Sequence, residues 1–326
     1  MDFDSSPTLT QPPVTSDPVV STPDRTGLVP PDTDGSAWPL PPAGERVRRG
    51  SQAHKVLLAR TLLDSFDPYR PALLNWPRLT PEVRNRIVSM PIWDIAVRTE
   101  EKASRRMQAY AETVQDPLLR KALMLNAFEE RRHRAVLSNL VAAYDIALQP
   151  EIAYRAPKRT EMAYMVTGFS ECIDSFFAFG LFEAARRTGF FPAELVETFE
   201  PVIREEGRHI LFFVNWVAWR RRQLNLVQRV IFELTIWATW VFLGAERMGL
   251  VASFGSGPPP SSTHREDANF TVSGANHVDA DLSVRDLFEL CLAENDRRLG
   301  AYDSRLERPM FIPRLVRLAL RFMPNR

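Results

Sequence analysis

The sequence predicts an all-α protein built as a helical bundle, and three observations carry that reading. The pentapeptides Glu129-Glu130-Arg131-Arg132-His133 and Glu205-Glu206-Gly207-Arg208-His209 repeat one pattern 76 residues apart: acid, Glu, any residue, Arg, His. Residues three apart share a helix face, so Glu130 with His133, and Glu206 with His209, each present a carboxylate and an imidazole in one direction. Upstream of the first repeat, an apolar stripe at helical spacing runs through Trp93, Val97, Met107, Ala111 and Val114, and Glu100 falls on it. Upstream of the second, Glu171 sits in a strongly apolar stretch, where an unpaired carboxylate is expensive to bury and a cation removes the difficulty.

Taken in order, residues 1–45 hold ten prolines among Ser, Thr and Asp and open on acidic Met1-Asp2-Phe3-Asp4. They read as a disordered tail, not a signal peptide. A lead-in over residues 46–90 contains helices around Ala53–Ser65 and Pro81–Ser89, expected to cap the bundle. The bundle proper covers residues 91–250. On its first helix Glu100 is preferred as the inward acid, with Glu101 the fallback, about 100° round and nearer the wet side. Glu100 and Glu130 lie roughly 16 and 13 residues from the Asp116-Pro117 turn, about 24 Å and 20 Å of helix, so they come level. The stretch 149–158, with prolines that favour extended backbone, spans at most ~35 Å and returns the chain to the start of the third helix. Around the turn at Gly189-Phe190-Phe191-Pro192, Glu171 and Glu206 match at roughly 18 and 14 residues, whereas Glu183, about 6 residues away, lies too near the turn.

Residues 225–250 are very apolar, with Trp237 and Trp240, but Arg229 and Glu233 leave only ten uncharged residues before Gly244, too short to span a bilayer. A fifth packing helix or a homodimer face is expected there in preference to a membrane-surface helix. Residues 251–281 are rich in Gly, Pro and Ser and read as a flexible linker, with His264 and His277 alone and solvent-exposed. Within 282–326, Ser283 is the N-cap of a last helix through Leu287, Leu290, Leu292 and Leu299, followed by a basic amphipathic end.

A chain of 326 residues, 45% hydrophobic and with net charge +1, has room for one large domain plus extensions and no strong electrostatic partner, so no nucleic acid is expected. Arg220-Arg221-Arg222 reads as a solvated helix terminus. Cys172 and Cys291 stand 119 residues apart, so a disulfide framework is not indicated and a rubredoxin-type electron module is excluded. A cytoplasmic location is the expectation.

On these residues the chain resembles the ferritin-like di-iron carboxylate superfamily. The doubled motif is similar to its oxygen-activating members, soluble methane and toluene monooxygenase hydroxylases and acyl carrier protein desaturases, over roughly residues 91–220. The resemblance implies a ferritin-like four-helix bundle with a long crossover between its second and third helices, plus extra N- and C-terminal helices. It implies two iron ions, or a manganese–iron pair, ligated by Glu100, Glu130, His133, Glu171, Glu206 and His209, with Glu130 and Glu206 bridging. It further implies that Glu129 and Glu205 each accept a hydrogen bond from the opposite motif's histidine and that Arg132 and Arg208 orient those acids. The relatives more often have Asp there, one methylene shorter. Four carboxylates with two imidazoles suit iron or manganese better than zinc or copper.

Three neighbouring positions separate branches of the superfamily. Leu137 stands where ribonucleotide reductase radical subunits have a Tyr, and Val202 where arylamine N-oxygenases add a His. Ser175, with Asp174 beside it, stands where monooxygenase hydroxylases place a Thr that helps deliver protons. Those two are the catalytic candidates, and back-bonding of Ser175 to its own helix is the alternative. The implied activity is O₂-dependent hydroxylation, desaturation or other oxidation of a small apolar organic substrate. Its electrons would come from a separate ferredoxin or reductase, since no flavin or nicotinamide fingerprint is present. Phe176, Phe177, Phe179, Phe182, Phe212 and Phe213 are either a substrate cavity wall or ordinary core. The competing readings are a ferroxidase or peroxide-scavenging protein of the ferritin and rubrerythrin kind and, third, a tRNA-modifying hydroxylase.

Overall fold

Caps and prolines set where the helices begin. Asp116 accepts a hydrogen bond from the Leu119 amide at 3.0 Å with Pro117 in the first turn, and Thr80 with Pro81 opens a shorter helix in the same way. Ser283 and Asp286 form a reciprocal capping box. Gly189 ends another helix at φ 67°, a left-handed conformation that glycine adopts without strain. The computed structural model describes residues 28–71, 74–150, 153–155, 157–254 and 283–324. Among these the chain is all-helical, without strands: α1 Gln52–Asp64, α2 Pro81–Val88, α3 Trp93–Ala111, α4 Pro117–Ala143, α5 Thr160–Thr188, α6 Ala193–Gln223, α7 Leu226–Phe254, α8 Val284–Gly300 and α9 Phe311–Leu320.

Helices α3, α4, α6 and α5 pack in a closed ring, each against the next, with the α3–α4 hairpin the most extensive contact. The other helices pack around them: α1 against α4 and α6, α7 and α8 against α5, and α9 against α5 and α8. One apolar cluster fills the bundle around Met107, Leu123, Tyr164, Phe213 and Trp216. Tyr110 stacks on Tyr164 at 4.9 Å, and Trp216 meets both edge-on at 5.4 and 4.8 Å. Gly168 lets α5 and α6 approach there, since a Cβ would lie 2.2 Å from Phe213 Cδ2. A second cluster gathers Ile87, Trp93, Val97, Leu140, Ala185 and Leu195. Glu100 on α3, Glu130 and His133 on α4, and Glu206 on α6 fall between the stretches of their helices that enter the two clusters.

Several expectations shift. Residues 28–45, assigned to a disordered tail, lie along α1 and α4: Arg60 donates to the carbonyls of Gly35 (2.9 Å) and Trp38 (2.8 Å), and Lys121 to Asp32 (2.6 Å). Residues 1–27 lie outside the described residues. The return crossover is tacked to α3 twice, where the Gln149 amide donates to Asp94 at 2.8 Å and Arg106 donates to Tyr154 Oη at 2.7 Å. Helix α7 reaches Phe254, four residues into the expected linker, whose remaining residues, His264 and His277 included, lie outside the described ones. Arg229 and Glu233 do not interrupt that helix. Its segment Leu226–Arg247 is long and apolar enough to cross a membrane by length and composition, as is α5, although α5 is mostly buried within the protein. Helix α7 is thus longer in its apolar run than the ten residues before Gly244, because a helix tolerates charges turned to one side: Glu233 pairs with Arg221 of α6.

Candidate metal centre

The i, i+3 spacing of each motif, carried on α4 and α6, brings four groups together. One ligating atom each from Glu130, His133, Glu206 and His209 all lie within 4.8 Å of one another, and three of the four residues are buried. His133 Nδ1 lies 3.1 Å from Glu206 Oε1, 3.9 Å from Glu130 Oε2 and 3.8 Å from Glu100 Oε2, so α3 contributes its acid to the same region. His209 Nδ1 lies 2.7 Å from Glu130 Oε1. That approach lacks hydrogen-bond geometry, and both atoms are buried without a hydrogen-bond partner.

Outside this group the histidines are crossed between motifs. His133 Nε2 meets Glu205 Oε2 at 2.8 Å, and His209 Nε2 meets Glu129 Oε2 at 2.8 Å. With Nε2 carrying the proton toward a carboxylate, each Nδ1 lone pair faces inward. The arginines lock these acids: Arg208 donates to Glu129 Oε1 at 2.8 Å, Arg132 donates to Glu205 Oε1, and Arg208 also lies 3.2 Å from Glu205. These charges are almost entirely excluded from water. A buried ion pair holds its place only when its remaining donors are met. The N-terminal lead-in meets most of them: Arg208 Nη1 donates to the Ser65 carbonyl at 2.8 Å and Arg132 Nη1 to the Asp67 carbonyl at 2.6 Å, while Arg132 Nε stays buried without a partner.

Tyr69, in the same lead-in, was not among the residues the motif pointed to. Its hydroxyl donates to Glu205 Oε2 at 3.3 Å, and its ring lies 4.0 Å from the Arg132 guanidinium carbon. It forms a chain Tyr69–Glu205–His133 from the lead-in to the carboxylate cluster. No local pattern announces it, because it stands outside every helix and 136 positions from its acceptor.

Glu171 on α5 is the most exacting group. Both its carboxylate oxygens are buried without a hydrogen-bond partner, as are His133 Nδ1, His209 Nδ1 and Glu130 Oε1. Burial, and then the carboxylates of Glu130 and Glu206, raise its pKa well above the ordinary carboxylate range. Glu130 is raised in the same sense by burial, Glu206 and Glu100. Burial also opposes charge on Glu206, but His133 overcomes it and holds that carboxyl low, while burial and then His209 and Arg208 act on Glu129 to the same lowered result. His133 is correspondingly raised: its burial disfavours the cation, but Glu100, Glu205 and Glu206 outweigh it. Five orphaned ligand-type atoms beside carboxylates forced toward protonation fit a divalent cation, which reverses that repulsion.

The remaining candidates divide. Ser175 is buried and its hydroxyl donates to Glu206 Oε2 at 3.3 Å, so it faces the cluster. Asp174 does not: it accepts from Ser170 at 3.0 Å and from Arg247 of α7 at 2.9 Å, because one residue along a helix is about 100° of rotation. It ties α5 to α7 instead. Glu101 pairs with Arg105 at 2.7 Å and Arg134 at 3.4 Å, while its neighbour Glu100 faces His133. Glu183 is held by Arg186 and Arg187 at 2.6 and 2.7 Å, which lower its pKa to about 2. Phe176, Phe179, Phe212 and Phe213 are packed as core. A cavity of about 120 Å³, lined by Phe169, Cys172, Trp240 and residues 308–313, reaches the α5 turn that carries Glu171. Comparison of the chain with protein families, with curated proteins and with solved structures finds no match.

Proposed function

We propose that this chain is a ferritin-like non-haem di-iron oxidase or oxygenase that uses O₂ to hydroxylate, desaturate or otherwise oxidise a small apolar organic substrate. The observation that carries the reading is the doubled Glu-x-x-His with crossed partners, His133 on Glu205 and His209 on Glu129, around one buried carboxylate cluster. Helical bundles of this class use a Glu from each of two helices and a Glu-x-x-His from each of the other two. Glu100 on α3 and Glu171 on α5 are the two lone acids in this proposal and, with Glu130, His133, Glu206 and His209, would hold the metals. Two iron ions bound there would supply the electron-transfer chemistry with O₂.

The residues of the chain set the conditions for that chemistry. Glu129 and Glu205 hold the histidine Nε2 protons and keep both Nδ1 atoms available. Arg132 and Arg208, braced by backbone carbonyls of the lead-in, prevent those acids from rotating into the centre themselves. Ser175 Oγ, on the cluster side of α5, is placed to hold a proton beside Glu206. The apolar clusters above and below exclude water, which strengthens each charge interaction between them. Electrons are assigned to a separate ferredoxin or reductase.

The test is anaerobic loading with Fe(II), followed by iron analysis and Mössbauer spectroscopy. Two irons per chain in a coupled pair are expected, with His133→Ala and Glu206→Ala each losing the coupling. Iron taken up far beyond two per chain would replace the oxidase reading with iron storage, and a full pair in both variants would overturn the ligand assignment.

A further inference from the structure

Helix α7 is apolar on both sides. One side packs on the bundle through Phe232, Ile236 and Leu243. The other carries Leu226, Val230, Leu234, Trp237, Val241 and Phe242, each more than half exposed, with Trp237 at 66% and Val241 at 69%. At 100° per residue these positions fall within an arc of about 160°, and no charged residue of α7 through Leu243 shares it. Such a stripe runs roughly 24 Å along the helix, longer than the isolated apolar residues that ordinary surfaces tolerate.

Helix α9 lies against the flank of α7 that borders this stripe. Trp240 of α7 meets Phe311 at the start of α9, ring centroids 4.3 Å apart. From there Phe311, Leu315 and Leu318 form an exposed row, extended by Phe322 just beyond the helix at 81% exposure. Arg314, Arg317 and Arg321 stand together on one flank, roughly a quarter turn from that row. Residues 308–324 contain no Asp or Glu. Arg317 pairs with Asp296 of α8, whereas Arg314 and Arg321 have no carboxylate partner among the described residues.

We infer that the joined faces of α7 and α9 seat the protein on the surface of an anionic lipid bilayer. The chemistry is that of an interfacial helix: aliphatic and aromatic side chains enter the acyl boundary, and arginines extend their stems along it with guanidinium groups at the headgroups. The packed side of α7 stays with the bundle, so the helix lies on the membrane and does not cross it. Charge decides between this occupant and a second copy of the chain. A twofold copy would set Arg314 and Arg321 against the same cationic flank, whose neighbouring acid, Asp296, is already held by Arg317, whereas anionic headgroups complement the two arginines. The inference rests on surface chemistry alone and is independent of the metal reading.

The experiment is co-sedimentation of the full chain with phosphatidylcholine vesicles, with and without phosphatidylglycerol, together with light scattering of the protein alone. Binding to the anionic vesicles, weakened by salt, is expected. Arg314→Gln with Arg321→Gln should weaken it about 30-fold, from roughly 5-fold per arginine at such a surface. Trp237→Glu with Val241→Glu should abolish it at both compositions, and unchanged thermal melting of these surface variants verifies their fold. Failure to sediment with either vesicle overturns the inference. So does a stable dimer that Trp237→Glu with Val241→Glu dissociates, or vesicle binding indifferent to all four substitutions.

Discussion

Glu171 offers a quantitative test of whether the buried carboxylates are arranged for a cation or for stability. Both of its oxygens are buried without hydrogen-bond partners, and its pKa is driven up by burial and by Glu130 and Glu206. An unsatisfied buried polar group costs about 1–3 kcal/mol in proteins. Glu171→Leu keeps a similar volume and removes that cost. In the presence of a chelator the variant is therefore expected to be more stable than the parent by about 1–3 kcal/mol, a rise in Tm of roughly 2–8 °C for a domain of this size. Metal should offset that gain. A divalent ion at a hundred times its Kd adds about 2.7 kcal/mol to a protein that binds it only when folded. With Glu171 gone, that increment should fall by more than half. Differential scanning calorimetry in chelator and then in Mn(II) measures both. A variant that melts below the parent in chelator while keeping the full manganese increment would refute the reasoning.

Two further outcomes follow from groups around the centre. Arg208→Ala leaves Glu129 buried beside His209 with one charge partner removed and strips a donor from the Ser65 carbonyl, so urea unfolding should show a loss of about 3–5 kcal/mol. Arg208→Lys should recover only part of it, because an ammonium cannot reach both acceptors as the planar guanidinium does. His54 accepts from the Gly50 amide at 3.2 Å and meets Asn215 Oδ1 at 3.0 Å, which fixes a neutral ring, and burial lowers its pKa below 6.5 despite the Asn215 contact. The unfolded chain then takes up this proton first as pH falls, so the His54 contribution is complete above about pH 6.5 and is lost progressively below it. Thermal melts from pH 8 to 5 should show that decline, and His54→Gln should flatten it.

The helices and half of the centre were legible along the chain because their causes are local. A 3.6-residue period brings Glu130 to His133 and Glu206 to His209 whatever surrounds them, and Asp116-Pro117, Gly189 and Ser283 mark ends through hydrogen bonds that reach no further than one turn. Depth could be counted as well, since a fixed rise per residue separates Glu171 from Glu183. Which of two adjacent residues faces inward was harder: Asp174 and Ser175 lie about 100° apart on any helix, and only the packing of α5 decides that Ser175 meets Glu206 while Asp174 meets Arg247 of α7. Tyr69, the carbonyls of Ser65 and Asp67 and the strap at 28–45 lie in segments without periodicity, and their contacts run to residues far along the chain. The crossing of Glu129 to His209 and of Glu205 to His133 came from resemblance, and its physical origin is the packing of α4 against α6. The outer face of α7 belongs with these. Its composition reads equally as core or as surface, and which side is covered depends on how many neighbours the fold supplies, a property of the assembled bundle and of no single helix.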